Sequence, residues 1–164
     1  LEPPEWLQGK SITPILDGET DELNEYVFAE INYHAAYDPC RSVRDKRYKL
    51  IKIFDDTRTV MPNIGNGIAK QFLMEHGLGR TKLRDAVQLF DLHWDPTESN
   101  NLVDDPNYTE VLQRMEAELS RWMRETNDPL LNGPVPLPEG ALLNRLSDEH
   151  PEMPADQLID YNGE

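Results

Sequence analysis

The chain has 164 residues, a formal net charge of −15, 38% hydrophobic residues and 13 prolines. That length suits one domain with its own core, while the prolines and the low apolar fraction predict an ordered centre with irregular margins. The charge argues against nucleic acid, whose phosphates would repel the chain, and no apolar run approaches the roughly 20 residues that cross a bilayer.

Acid and base are unevenly placed. Residues 1–30 hold eight acids and one base, and residues 127–164 again hold eight acids and one base. Between Arg41 and Lys52, by contrast, six basic residues stand in twelve positions with only Asp45 against them. The opening Leu1-Glu2-Pro3-Pro4 has no initiator Met and no signal pattern, which suits a fragment or a processed product. A lone cysteine, Cys40, excludes an internal disulfide framework.

In chain order, residues 1–24 read as a lead-in, with loop chemistry around the short apolar piece Ile12 to Leu16. Tyr26 to Tyr33 (YVFAEINY) is aromatic and β-branched and predicts a strand. A turn is expected at Tyr37-Asp38-Pro39, followed by two short β runs, 41–44 and 48–54, joined at hairpin length through Asp45-Lys46-Arg47. In the second run Tyr48, Leu50 and Phe54 face one way and Ile51 and Ile53 the other, so both faces are expected to be covered. Residues 55–85 are less regular, with a short helix around Ile68 to His76 stopped by Gly77. Ala86 to Leu92 predicts another strand, ended by Asp95-Pro96.

The clearest element is a helix from about Pro106 to Arg124. Asp105 is a good N-cap, and Pro106 takes the first helical position, where a missing N–H costs nothing. Tyr108, Val111, Leu112, Met115, Leu119, Trp122 and Met123 recur at steps of three and four and form one apolar stripe. Burial of each such side chain contributes roughly 1.5–3 kcal/mol before entropy is subtracted, so the stripe should dock on the sheet. Beyond it, six prolines between Pro129 and Pro154 predict an extended, acidic tail.

Few motifs carry chemistry. His34, His76, His93 and His150 are scattered without ligand spacing, so no zinc site is implied. The acidic string Asp91 to Glu98 departs from a calcium loop at His93 and Pro96 and reads better as a strand end and a turn. There is no serine elbow and no phosphate-binding glycine loop. His34 follows the first strand and precedes Tyr37 and Arg41, so a strand end and a turn could present three polar groups together. The alternative is that all three are satisfied structural residues. The basic island reads as a solvated hairpin face or as an anion-facing patch, since arginine matches sulfate with paired N–H groups.

Four strings, GKSITPIL from Gly9, VFAEINYHAAYDPCRSVRDKRYKLI from Val27, LFDLHWDPTESNNLVDDP from Leu89 and WMRETNDPLL from Trp122, stand in an order that together resembles the C-terminal region of the sulfatases, closest to the sulfamidase (heparan N-sulfatase) group. Gly9-Lys10-Ser11-Ile12-Thr13-Pro14-Ile15-Leu16 is similar to a segment near the end of the sulfatase catalytic domain. VFAEINYHAAYDPCRSVRDKRYKLI is similar to the following strand and hairpin, LFDLHWDPTESNNLVDDP to the string that introduces the terminal helix, and WMRETNDPLL to the end of that helix in sulfamidase-like members. The likeness spans roughly residues 9–133. Cys40 stands where Met is usual, residues 55–85 match poorly, and the tail matches faintly.

The resemblance implies an α+β piece: a small antiparallel sheet of about four strands packed by one long C-terminal amphipathic helix. Its expected layout is a lead-in over 1–24, the subdomain over 25–126 and a Pro-rich acidic tail over 127–164. The parent would be a sulfatase, cleaving a sulfate ester or N-sulfate, most naturally on a sugar. Calcium and formylglycine would then belong to a separate catalytic domain, with no cofactor held by this chain. Cys40 and Arg44 stand at the offset of the formylglycine signature, but Ser42 replaces its Pro and the segment feeds a hairpin.

What the chain would add is one wall of the substrate cleft, through His34, Tyr37 and Arg41. Its expected partners are the parent's catalytic domain, a sulfated saccharide and, through exposed apolar surface, a second copy. Nucleic acid and membrane are not expected. The family implies a periplasmic, extracellular or lysosomal setting. The rival readings are a stand-alone module for sulfated polysaccharide and a plain structural or oligomerisation domain.

Overall fold

A computed structural model describes residues 4, 7, 9–34, 36–55, 64, 65, 67–77 and 84–144. The expected acidic tail beyond 144 lies outside the described residues, as do the first three residues and much of the irregular stretch 55–85.

Four strands, β1 (Val27–Tyr33), β2 (Tyr37–Arg44), β3 (Tyr48–Ile53) and β4 (Val87–Asp91), form an antiparallel sheet in the order β1-β2-β3-β4. The short apolar piece of the lead-in winds into one helical turn, α1 (Thr13–Leu16). Helix α2 (Ile68–Glu75) ends at Gly77, whose φ of +106° favours glycine. The class is α+β, as the sequence predicts. No described helix is long and apolar enough to cross a membrane.

The β2–β3 turn is built by Asp45, whose carboxylate accepts the N–H groups of Arg47 and Tyr48. That turn sets the register Arg44↔Lys49, and with it a single apolar row across all four strands: Phe28↔Val43, Val43↔Leu50, Leu50↔Leu89. Helix α3 (Thr109–Glu125), led in by a 3-10 turn over Pro106–Tyr108, lies on that row. Asp105 caps it by accepting the Asn107 N–H at 2.9 Å. All seven stripe residues lie in or against the core, with Met115, Leu119 and Met123 buried over Val43, Leu50 and Leu89. Trp122 stacks on Phe28 with ring centroids 5.0 Å apart and planes within 2°.

The opposite face of the sheet is covered unevenly. Ile53 and Phe90 are buried there, whereas Val27 and Ile31 on β1 are exposed. The free edge of β4 is closed by Asn101, whose side-chain oxygen accepts the Leu89 N–H at 2.9 Å and whose amide donates to the Val87 carbonyl at 3.1 Å.

One predicted feature is corrected. Tyr37-Asp38-Pro39 is not a turn but the first part of β2. The register changes between Ile31 and Tyr33, where Ile31 pairs with Cys40 but Tyr33 with Tyr37, so β2 carries one extra residue opposite Asn32. Pro39 sits in that bulge, where its missing N–H breaks no regular ladder, while its carbonyl accepts the Phe54 N–H at 2.9 Å.

Candidate functional site

The polar groups singled out in the sequence gather at the β1–β2 turn. Arg41 points to the α3 side of the sheet, because its cross-strand partner Glu30 shares the face of Phe28 and Val43. It is fully buried, and its five N–H donors meet five acceptors. Nε and one Nη2 proton hold the two oxygens of Asp128, the other Nη2 proton goes to Asn32 Oδ1 at 2.9 Å, and Nη1 donates to the carbonyls of Ile31 (3.0 Å) and Cys40 (2.9 Å). The Arg41 guanidinium is therefore committed to the protein and faces no ligand.

Asp128 reaches Arg41 because α3 stops abruptly. Asn127 adopts the left-handed conformation (φ +52°) and donates to the Arg124 carbonyl, and the Asp128 N–H donates back to Met123 at 2.8 Å. This pairing closes a helix end with a residue that tolerates positive φ. Asp128 also accepts the Leu130 N–H at 3.0 Å, starting a 3-10 turn over Pro129–Asn132. Burial pushes its carboxyl up, and the bonds from Arg41 and Leu130 more than offset this, holding it below the usual aspartate value.

Tyr37 is half-buried, and its phenolic oxygen accepts the Val135 N–H at 3.1 Å. Tyr33, whose ring lies 6.4 Å from that of Tyr37, donates to the Pro136 carbonyl at 3.3 Å. His34 is exposed at the turn, with its N–H donated to the Ala36 carbonyl. The structure thus brings His34, Tyr37 and Arg41 to one end of the sheet, with His34 outward, Tyr37 at the rim and Arg41 beneath.

Cys40, Ser42 and Arg44 alternate along β2 on the face away from α3, so Cys40 and Arg44 are separated by roughly 13 Å of extended strand. Burial, the Asp38 charge and the thiol's hydrogen bond to Asp38 push the Cys40 thiol up to about 11. Such a thiol is a poor nucleophile. Among the described residues there is no group of three or more His, Cys, Asp or Glu side chains that could hold a metal ion. Asp95, between β4 and α3, directs its carboxylate to the N–H groups of Ser99 and Asn100.

The basic island has a structural explanation. Arg41 pairs with Asp128, Lys46 with Glu22, Arg47 with Asp91 and Lys49 with Glu98. Arg44 is exposed at the strand end, and Lys52 lies over the Phe54 ring. Sequence reasoning missed Asp128, Asn32, Asp91 and Glu98 as partners. A signal was present, because the acids of LFDLHWDPTES and WMRETNDPLL balance the hairpin's excess of base.

No family model matches this chain. An ulvan-active sulfatase of Formosa agariphila is 30% identical over 139 residues, covering 82% of this chain and 28% of that protein. A second ulvan-active sulfatase of the same organism is 28% identical over 158 residues, covering 88% of this chain and 25% of its own length. The N-sulphoglucosamine sulphohydrolase of Homo sapiens is 27% identical over 157 residues, covering 86% and 30%. This chain therefore spans between a quarter and a third of these relatives.

Among solved structures, a 2-O GAG sulfatase shares the fold at a TM-score of 0.57 and 24% identity, over 80% of this chain and 23% of that one. A protein solved with its substrate D-glucosamine-2-N,6-O-disulfate does so at 0.56 and 18%, over 82% and 22%. The sequence relatives, the ordered strings and the helix-roofed antiparallel sheet agree: the chain belongs to the sulfatases and corresponds to their C-terminal subdomain.

Proposed function

We propose that the chain works as the smaller part of a sulfatase that hydrolyses sulfate esters or N-sulfates on a sugar, completing the fold and forming one wall of the substrate cleft. The observation that carries this is the asymmetry of the matches: sulfatases align with more than four-fifths of this chain, which spans under a third of their length. Bond cleavage is assigned to the larger part of the parent, together with the calcium and formylglycine implied by the family. That larger part is the proposed partner, and the setting is periplasmic, extracellular or lysosomal.

Within the wall, His34 and Tyr37 are assigned the saccharide contacts. His34 is exposed, and Tyr37, whose hydroxyl accepts the Val135 N–H, places its half-buried ring at the rim of the same turn. Arg41 is assigned a supporting place beneath them, since its donors are all engaged within the domain. The parent enzyme with His34→Ala or Tyr37→Phe should show a raised KM for a sulfated disaccharide with kcat little changed, because the lost contacts bind without reacting. Unchanged KM in both variants would remove the wall assignment. Robust hydrolysis of an aryl sulfate by the 164-residue chain alone would overturn the reading as a whole.

A further inference from the structure

We propose that Arg41 and Asp128 are positioning residues: their buried pair locks the β1–β2 turn onto the end of α3 and so sets the orientation of His34 and Tyr37. That these two side chains meet a saccharide rests on the function proposed above; the lock itself does not.

Arg41 bonds to β1, to β2 and to the segment that follows α3. Its Nη1 protons hold a carbonyl on each strand of the hairpin, its Nη2 holds Asn32 opposite the bulge, and Asp128 comes from beyond α3. A planar guanidinium satisfies such a spread of acceptors only in one orientation, which a lysine could not reproduce. Both side chains of the pair are almost wholly excluded from water, at 0% and 1% exposure, so any tilt of the turn leaves a buried charge unmatched. Asp128 is itself held rigidly by the left-handed helix end and its bond to Leu130. The segment after Asp128 adds a second fastening, Val135 N–H to the Tyr37 hydroxyl and Tyr33 hydroxyl to the Pro136 carbonyl. A run of rigid contacts therefore leads from the end of the helix through Asp128 and Arg41 to the turn.

The test is native-state hydrogen exchange, read by NMR on the full chain. Asp128→Asn keeps the side-chain shape and an acceptor for Leu130 but removes the charge. The amides of Tyr33, His34 and Tyr37 should then exchange at least about tenfold faster relative to those of Val43 and Leu50 in the same variant. Leu119→Ala, which weakens the core under α3 without touching the pair, should accelerate both groups alike. An Asp128→Asn pattern matching that of Leu119→Ala, or no change at the turn, would overturn the positioning role.

The unaltered chain provides a second reading that needs no folded variant. In rising urea, the turn amides should open together with Val43 and Leu50. Independent opening of the turn at low urea would equally defeat the proposal. Either failure leaves the saccharide assignment standing, because that is judged by the KM of the His34 and Tyr37 variants.

Discussion

Arg41 and Arg47 belong to the same hairpin, and each grips an aspartate through two nitrogens, yet their surroundings differ. The Arg41–Asp128 pair is sealed at the turn end of the sheet, whereas Arg47, at the opposite end, is 49% exposed while its partner Asp91 is only 3% exposed. Similar bonds in water and in the interior have different consequences. An exposed arginine that loses its partner returns to solvent, but a buried one stays where it is, charged and unmatched. The comparison teaches that the basic island is not one feature. One of its members helps to fix the architecture, while others, such as Lys46 with Glu22, are surface pairs of little weight.

The sharpest way to break this contrast is Asp128→Ala. Leaving Arg41 with only the more distant Glu30 carboxylate, 3.7 Å from its Nε, should lower the unfolding free energy by about 3 kcal/mol, measured by urea denaturation. A loss no greater than that of an ordinary surface change would show that the pair is not buried in solution.

Acid should act next, and in a defined direction. Among the described residues four carboxyls lie below the usual aspartate value, one of them Asp95, held down by the N–H groups of Asn100 and Ser99. For Asp128 burial opposes the shift and the Arg41 bonds outweigh it; for Asp91 the Arg47 hydrogen bond is the main cause; for Asp45 burial is outweighed by the N–H groups of Tyr48 and Arg47. With folded values depressed, the unfolded chain binds more protons, so stability rises with pH. It should be fully present above the ordinary aspartate value of about 4 and be lost as pH falls through the folded values. Urea midpoints that are flat from pH 7 to 5 and fall below about pH 4 are expected. A midpoint that rises on acidification would contradict these shifts.

Arg47→Ala should have the smallest effect. Its urea midpoint should fall less than that of Asp128→Ala, because the side chain removed is half exposed and Asp91 keeps the His93 N–H, and added salt should narrow the gap to the unaltered chain. Equal losses in the two variants would erase the distinction between the ends of the sheet.

Several elements were legible from local chemistry alone. Asp105 and Pro106 announce the start of α3, and the steps of its apolar stripe match the face that packs on the sheet. The β2–β3 hairpin follows from two β runs with Asp45-Lys46-Arg47 between them. The expected turn at Tyr37-Asp38-Pro39 failed because proline signals a break in regular pairing without saying whether the chain turns or bulges. The burial of Arg41 was illegible for a related reason. A string names an arginine and its spacing, but a strand residue's face depends on register, and its exposure depends on what folds over it from far along the chain.

The amino-acid order by itself determined the α+β class, the strand and helix positions near the centre, and the resemblance to sulfatases, because periodicity, capping and turn chemistry act between near neighbours. Only the tertiary structure decided that Asp128 seals Arg41, 87 positions earlier, and that most of the basic island is neutralised within the domain. Ion pairs form across space, and no local rule says which of 31 acids will meet a given arginine once the helix has docked.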